Sequence, residues 1–591
     1  MVDPVPGCGD DNGAMVIPSL PGPRVEQVLY ANPVVPGTRF VVSGSELPDP
    51  SIDRVELIID DGATRVSLPA PQEDLLGMAF VLDAAGHAAL GEPGFVDATC
   101  TLRATRPGRG VREGSAPCPF DLEPTVTPSL LSDVDGAGHW NDPFVVNVAG
   151  LLMGEEGTTF VDVDGTYTRE GGSPVPVFAQ LGLVPVDRFD RSRATLIAST
   201  DLGGIHPGRF EGTMTIGGQT ADGFRTMGET RRLAITFALP EVRGLDPPTV
   251  SLGQLVRIRG AGFLGGREDE STVFRLEGSF TPAGGAPITI PAVEVVPTFV
   301  SGQEMTIVID AEPTEDRTLV NPLFRAARGA FSGNVTVITS RGVDQVSGVP
   351  VPGTITLGPV RQVVWVHFVG SFDASLERFG LGAAAEHVKA AAIARMQEIY
   401  RDYNVDLRTE RPTDWGPNGY ATLEIGGPDP TGRGLFGFDN TPGKDIGNVR
   451  LFDKIGGINA ITQEDGSPGY GGVFIDSFLY WSTDPGLPGE RPAGAPEPEP
   501  LFDEIFGPVR ARPATLDEAD GFGSDERNEL VAFAIGVLGS LVGETASHEL
   551  GHSFGLAEPY GSSTVFHSAF PDEGCLMDSG GDRPFGERAN L

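Results

Sequence analysis

Three stretches share one pattern of apolar and polar positions: apolar, any, apolar, any, Gly, with another apolar residue three positions on. It occurs as Phe40, Val42, Gly44 and Leu47, as Val146, Val148, Gly150 and Met153, and as Val256, Ile258, Gly260 and Phe263. The spacings are 106 and then 110 residues, the size of a β-sandwich domain. Each stretch is followed by an alternating run that ends near an Asp-Gly or Glu-Gly pair: Val55–Gly62, Phe160–Gly165 and Val273–Gly278. Period-two alternation buries one face of a strand, and the Gly suits a tight turn. The pattern predicts immunoglobulin-like sandwiches at 25–125, 126–243 and 244–358, behind a Pro- and Gly-rich tether at 1–24.

From about residue 360 the grammar changes. Gln362–Val369 is a continuous apolar run, as expected of a strand covered on both faces. Ala383–Tyr403 carries Val388, Ala392, Met396 and Ile399 at helical spacing. Strands are expected at Ala421–Ile425, Asn448–Phe452 and Gly472–Phe478, and a surface insertion at 483–525, where Pro, Glu and Gly cluster. Asn528–Phe554 reads as a helix despite Gly536, Gly539 and Gly543. Residues 359–591 therefore form an α/β (α+β) domain with one sheet, at the end of a multidomain chain whose N-terminal part is all-β.

At 591 residues, several domains are required. The formal charge is −39, and Lys389, Lys444 and Lys454 are the three lysines. So acidic a surface repels phosphate backbones, which excludes nucleic acid as a partner. No run of 18 apolar residues occurs. Of four cysteines, Cys100 and Cys118 fall in one candidate sandwich, either as a disulfide or as two buried thiols. Cys8, followed by Gly-Asp-Asp, resembles the lipid-bearing first residue of a mature bacterial lipoprotein, although Pro4–Gly7 precede it without an apolar signal region. A lipid there would be the membrane link.

Chemistry concentrates in His548-Glu549-Leu550-Gly551-His552. Residues four apart on a helix sit one turn above each other, so both imidazoles can grip one zinc ion. Glu549 stands beside them as a general base toward the attacking water. Gly555 follows where the helix must turn, and Met577 centres a turn within Gly574-Cys-Leu-Met-Asp-Ser-Gly. Together these residues resemble the metzincin zinc peptidases, over about 360–591. That resemblance implies a single catalytic zinc, a protein or peptide substrate lying along the edge strand (expected at Gly472–Phe478), and Met577 as an apolar floor beneath the metal. The third ligand is either Glu558, at the position the family pattern assigns, or His567. The tyrosine that some metzincins carry after the Met-turn is replaced by Asp578 and Ser579, with Tyr560 the nearest substitute, and Asp582-Arg583-Pro584-Phe585 looks like the start of a short helix. The third sandwich opens with Pro247–Phe263, which is similar to the TIG modules of surface proteins.

The expectation is an extracytoplasmic zinc endopeptidase, secreted or surface-tethered. Its rivals are a non-catalytic adhesin with a degenerate zinc-holding domain, and a gluzincin-type site using Glu573 or Glu587. Gly432-Arg-Gly-Leu-Phe-Gly437 fits a dinucleotide glycine pattern by letters but reads as a loop, since no helical pattern follows. Asp133/Asp135 and Asp162/Asp164 lack the full ligand set of a calcium loop, and turns are expected at both.

Overall fold

A computed structural model describes residues 23–45, 47–48, 50, 53–69, 71–106, 110–309, 328–440, 453–456, 470–487, 489–493, 495–557, 565–569, 574–580 and 583–591. Three β modules and a C-terminal α/β domain follow one another along the chain. Cys8 and the candidate strand at 448–452 lie outside the described residues.

The first module packs two four-stranded antiparallel sheets face to face. Phe40, Val42, Leu57, Phe80, Leu102 and Phe120 fill the space between them, and Cys100 and Cys118 are disulfide-bonded. The second module departs from the expected two-sheet sandwich. Its strands form one eight-stranded sheet, Ser129–Leu130 at one end and Val134–Gly138 at the other. That sheet folds over a single core of Val146, Val161, Phe210, Ile235 and Trp140. The third module is again a pair of sheets.

The repeated Gly of the sequence pattern has one physical cause in all three modules. A Cβ on Gly44 would lie 1.9 Å from the Arg24 carbonyl oxygen, on Gly260 2.1 Å from that of Glu241, and on Gly150 2.7 Å from that of Thr127. Each Gly lets the opening segment of its module cross close over the strand that carries the repeat. The expected turns are real only in part. Gly62 does turn, at φ 84°, but Gly165 and Gly278 lie inside the long strands Gly157–Arg169 and Glu270–Pro282, where they pair with Gly212 and Gly333. Nor do Asp135, Asp162 and Asp164 lie in turns, since they fall within strands Val134–Gly138 and Gly157–Arg169. Asp162 is in mid-strand and accepts from Gln180 and Arg225, while Asp135 pairs with Arg232.

Buried or bidentate polar contacts join successive modules. Arg191 binds both oxygens of Glu156 at 2.6 and 2.7 Å and reaches the Pro33 carbonyl of the first module. Arg267 grips Asp201 bidentately across the next junction. The third module meets the last domain through a bridge between Gln254 and Trp415 and a Leu255 N–H bond to the Asp414 carbonyl.

In the C-terminal domain, strands Val405–Arg408, Gln362–Phe368, Ala421–Gly426 and Gly472–Phe474 run parallel in that order, and Gly437–Phe438 closes the edge antiparallel. Lys454–Ile455 pairs parallel with Ala421–Gly426 off that path. The main core lies against Val364 and Val366, and the smaller cluster of Val363, Trp415 and Tyr420 covers the opposite face. Helix Asp525–Ser553 crosses this core beside helix Ala385–Ile399. Two of its glycines are packing residues: a Cβ on Gly539 would lie 2.4 Å from Ala391 Cβ, and one on Gly543 2.7 Å from the Ala392 carbonyl oxygen, whereas Gly536 faces open space. This helix is long and apolar enough to cross a membrane, but 72% of its most apolar window is buried in the domain.

Two expectations are corrected here. Gly472–Phe474 is an interior strand that passes into a 3₁₀ helix, Ile475–Trp481, so the edge belongs to Gly437–Phe438. The 483–525 segment is not all surface. Helix Pro500–Ala511 buries Phe502, Ile505, Phe506 and Val509 in the main core, because its apolar residues recur at helical spacing.

Candidate metal centre

Helix Asp525–Ser553 carries His548, Glu549 and His552 in its last two turns. The four-residue spacing stacks the two imidazoles on one side, with ring centroids 4.7 Å apart. The chain stops being helical at Ser553, and Gly555 takes a left-handed φ of 70° that turns it away. It returns with His567, whose ring lies 5.3 Å from that of His548 and 5.0 Å from that of His552. Ligand nitrogens of these three histidines all fall within 4.8 Å of one another.

The turn around Met577 organises this cluster from below. His548 Nδ1 donates to the Leu576 carbonyl at 2.6 Å, which leaves Nε2 as the donor atom available to a metal. Met577 is buried, its carbonyl accepts from the Ser568 N–H at 2.8 Å, and its sulfur packs beneath Gly551. One turn therefore supports both the helix histidine and the segment that bears His567. Burial and the neighbouring His552 hold the His548 imidazole well below its ordinary pKa, hence neutral, the form that binds metal.

Glu549 is buried beside the cluster, 5% exposed, under the edge strand. A Cβ on Gly437 would come within 2.3 Å of Glu549 Oε1, so only Gly lets that strand pass there. Burial pushes the Glu549 carboxyl up to about 8 and Asp439 adds to the shift, while Arg588 and the Asp439 N–H oppose it. A cation on the three imidazoles would favour its ionised form.

The cluster opens onto a cavity of about 900 Å³. Gly434–Asp439 line it together with Trp481, whose ring lies 4.5 Å from that of Phe436, and with Pro496, Glu497 and Glu499. Thr545, His548, Glu549 and His552 line the helix side, with Arg583 and Arg588 below the Met577 turn. The expected loop runs to Phe436, with Gly432 and Gly434 at positive φ, and Gly437 already belongs to the edge strand.

Of the two third-ligand candidates, His567 is brought to the cluster, whereas Glu558 lies outside the described residues, as do Tyr560 and Glu573. Glu587 stands apart, accepting from Arg583 Nε at 2.8 Å. Sequence reasoning missed Arg588 and the cavity role of Gly437–Asp439. The short helix read as starting at Asp582-Arg583-Pro584-Phe585 is present as Phe585–Arg588, with Pro584 at its N-cap, and it is this helix that delivers Arg588.

No family model matches the chain, and no curated protein matches it. Solved structures similar to it include the full extracellular region of Plexin A4, at 11% identity over 58% of this chain and 34% of that one, TM-score 0.18. Others are the FN1–FN3 domains of chicken CNTN1, at 12% identity over 57% of this chain and 97% of that one, TM-score 0.14, and dimeric latent PorU from Porphyromonas gingivalis, at 10% identity over 57% and 34%, TM-score 0.15. The chain spans about a third of the plexin's length. Likenesses this slight carry no argument. The architecture rests on its own strand pairings.

Proposed function

We propose that the chain is an extracytoplasmic zinc-dependent endopeptidase of the metzincin kind. The observation that carries this reading is the convergence of three imidazoles beside buried Glu549 at the wall of a substrate-sized cavity. Three imidazole donors suit zinc, and the fixed His548 tautomer is the outer support such ligands need. Zinc bound there would polarise a scissile carbonyl and make water nucleophilic near neutral pH. Glu549 would take the proton from the attacking water and return it to the leaving amine. The antiparallel edge strand Gly437–Phe438 borders the site and offers main-chain groups to an extended peptide. The Gly555 turn and Met577 beneath the helix support the metzincin assignment over a gluzincin one. The Cys100–Cys118 disulfide supports an oxidising, extracytoplasmic setting.

The test is digestion of casein by the full chain, with and without a zinc chelator, alongside Glu549→Ala. Cleavage is expected to vanish in both cases. Cleavage that survives Glu549→Ala rejects the mechanism, and bound zinc without cleavage points instead to a non-catalytic binding protein.

A further inference from the structure

Arg588 is the unexplained charge in this cavity. It lines the cavity floor yet is only 2% exposed. Its Nε has no hydrogen-bond partner, and among the described residues no carboxylate lies within ion-pair distance of it. Its remaining contacts are weak: Thr545 Oγ1 and the Gly580 carbonyl, each at 3.4 Å, and the Phe436 ring at 5.4 Å. Of the nearby acids, buried Glu549 acts on Arg588 only through space, without an ion-pair contact, and the other two are committed elsewhere. Glu544 is held between Arg395 and Arg583, and Glu587 is held by Arg583. Arg433, on the same cavity, is exposed at its rim. A buried guanidinium with no carboxylate in contact is costly, and a cavity beside it gives an incoming anion direct access.

We infer that Arg588 is a specificity residue that receives a substrate carboxylate, so that the enzyme cuts next to an acidic side chain or near a free chain terminus. This rests on the zinc-peptidase reading. Thr545, which Arg588 touches, lies one helical turn before His548 and Glu549, so the carboxylate would sit within a residue or so of the bond being cut. The planar fork of Arg matches a carboxylate bidentately, which lysine does not. Glu497 and Glu499 also line the cavity, Glu499 accepting from the Phe585 N–H of the same short helix, and the whole chain carries −39, so long-range attraction cannot supply such a preference. It has to come from contact with Arg588. Burial and Arg583 lower its pKa to about 10, against the opposing effect of Glu549, Glu544 and Glu587.

Two measurements test this. In the first, zinc-loaded full chain digests denatured casein and the new termini are identified by mass spectrometry. At least tenfold enrichment of Asp or Glu beside the cut, or stepwise release of short C-terminal fragments, is expected. Arg588→Met should abolish the bias while retaining zinc, and Arg588→Lys should keep part of it. Cuts without acidic or terminal bias, or a bias unchanged in Arg588→Met, overturn the inference. In the second, calorimetry on the Glu549→Ala chain compares three hexapeptides: internal Glu with an amidated end, Gln with a free end, and Gln with an amidated end. One of the first two should bind at least tenfold tighter than the third, and which one identifies the source of the carboxylate. Equal binding of all three overturns the inference even if the wild type cleaves. Conversely, an inactive wild type rejects the peptidase reading, while the calorimetry still tests Arg588.

Discussion

His548 and Leu576, 28 residues apart, are joined by a 2.6 Å hydrogen bond from the imidazole to a main-chain carbonyl. The bond fixes the tautomer of one candidate ligand, and it depends on the Met577 turn staying seated under the helix. Gly551 is what allows that seating, since a Cβ there would lie 2.2 Å from Met577 Sδ. Gly551→Ala is therefore expected to displace the turn, costing about 1–3 kcal/mol by overpacking. It should also weaken zinc binding by roughly 10-fold, as loss of an outer-shell partner does. Thermal unfolding and competition with a chromogenic chelator measure the two effects, and an unchanged zinc affinity would refute the coupling.

The third ligand is separable by substitution. His567→Ala is expected to lower zinc affinity by more than the roughly 10–100-fold typical of outer-shell losses, whereas Glu558→Gln should leave stoichiometric zinc in place. Metal analysis after dialysis decides between them, and zinc retained by His567→Ala but lost from Glu558→Gln reverses the assignment.

The first two modules are locked by a buried pair. Arg191 is 5% and Glu156 1% exposed, and Thr38 of the first module donates to the same carboxylate at 2.6 Å. Glu156→Gln leaves the guanidinium buried without its counter-charge and should destabilise the pair of modules by about 3–5 kcal/mol. Urea unfolding followed by module-specific proteolysis would show it. A loss below about 1 kcal/mol, the scale of an exposed pair, would mean the junction is not held this way.

Acid should loosen the next junction. The hydrogen bonds from Arg267 hold the Asp201 carboxyl down at about 2, with Arg341 adding to the effect. The unfolded value is about 3.9, so folding stability from this group is complete above about pH 4 and is lost as pH falls toward 2. Limited proteolysis between the second and third modules should accelerate over that window, and Asp201→Asn should remove this part of the pH dependence. An identical acid profile in the variant would rule the pair out as its source.

Local periodicity in the sequence was enough for much of this molecule. Alternation and the recurring Gly located the inner strand of each β module, and the i, i+4 histidines flanking Glu549 placed one chemical face on one helix. Those features depend only on which face of an element is buried. Which elements meet is a long-range question. Whether Cys100 and Cys118 pair, which strand forms the sheet edge, that 500–511 belongs to the core, and that His567 and Arg588 arrive at the same cavity were all settled by packing. No local pattern chooses between Glu558 and His567 as the third donor, or marks an arginine carried to the cavity by a four-residue helix. Their positions follow from how the Met577 turn docks under Gly551, a contact that exists only once the chain has folded.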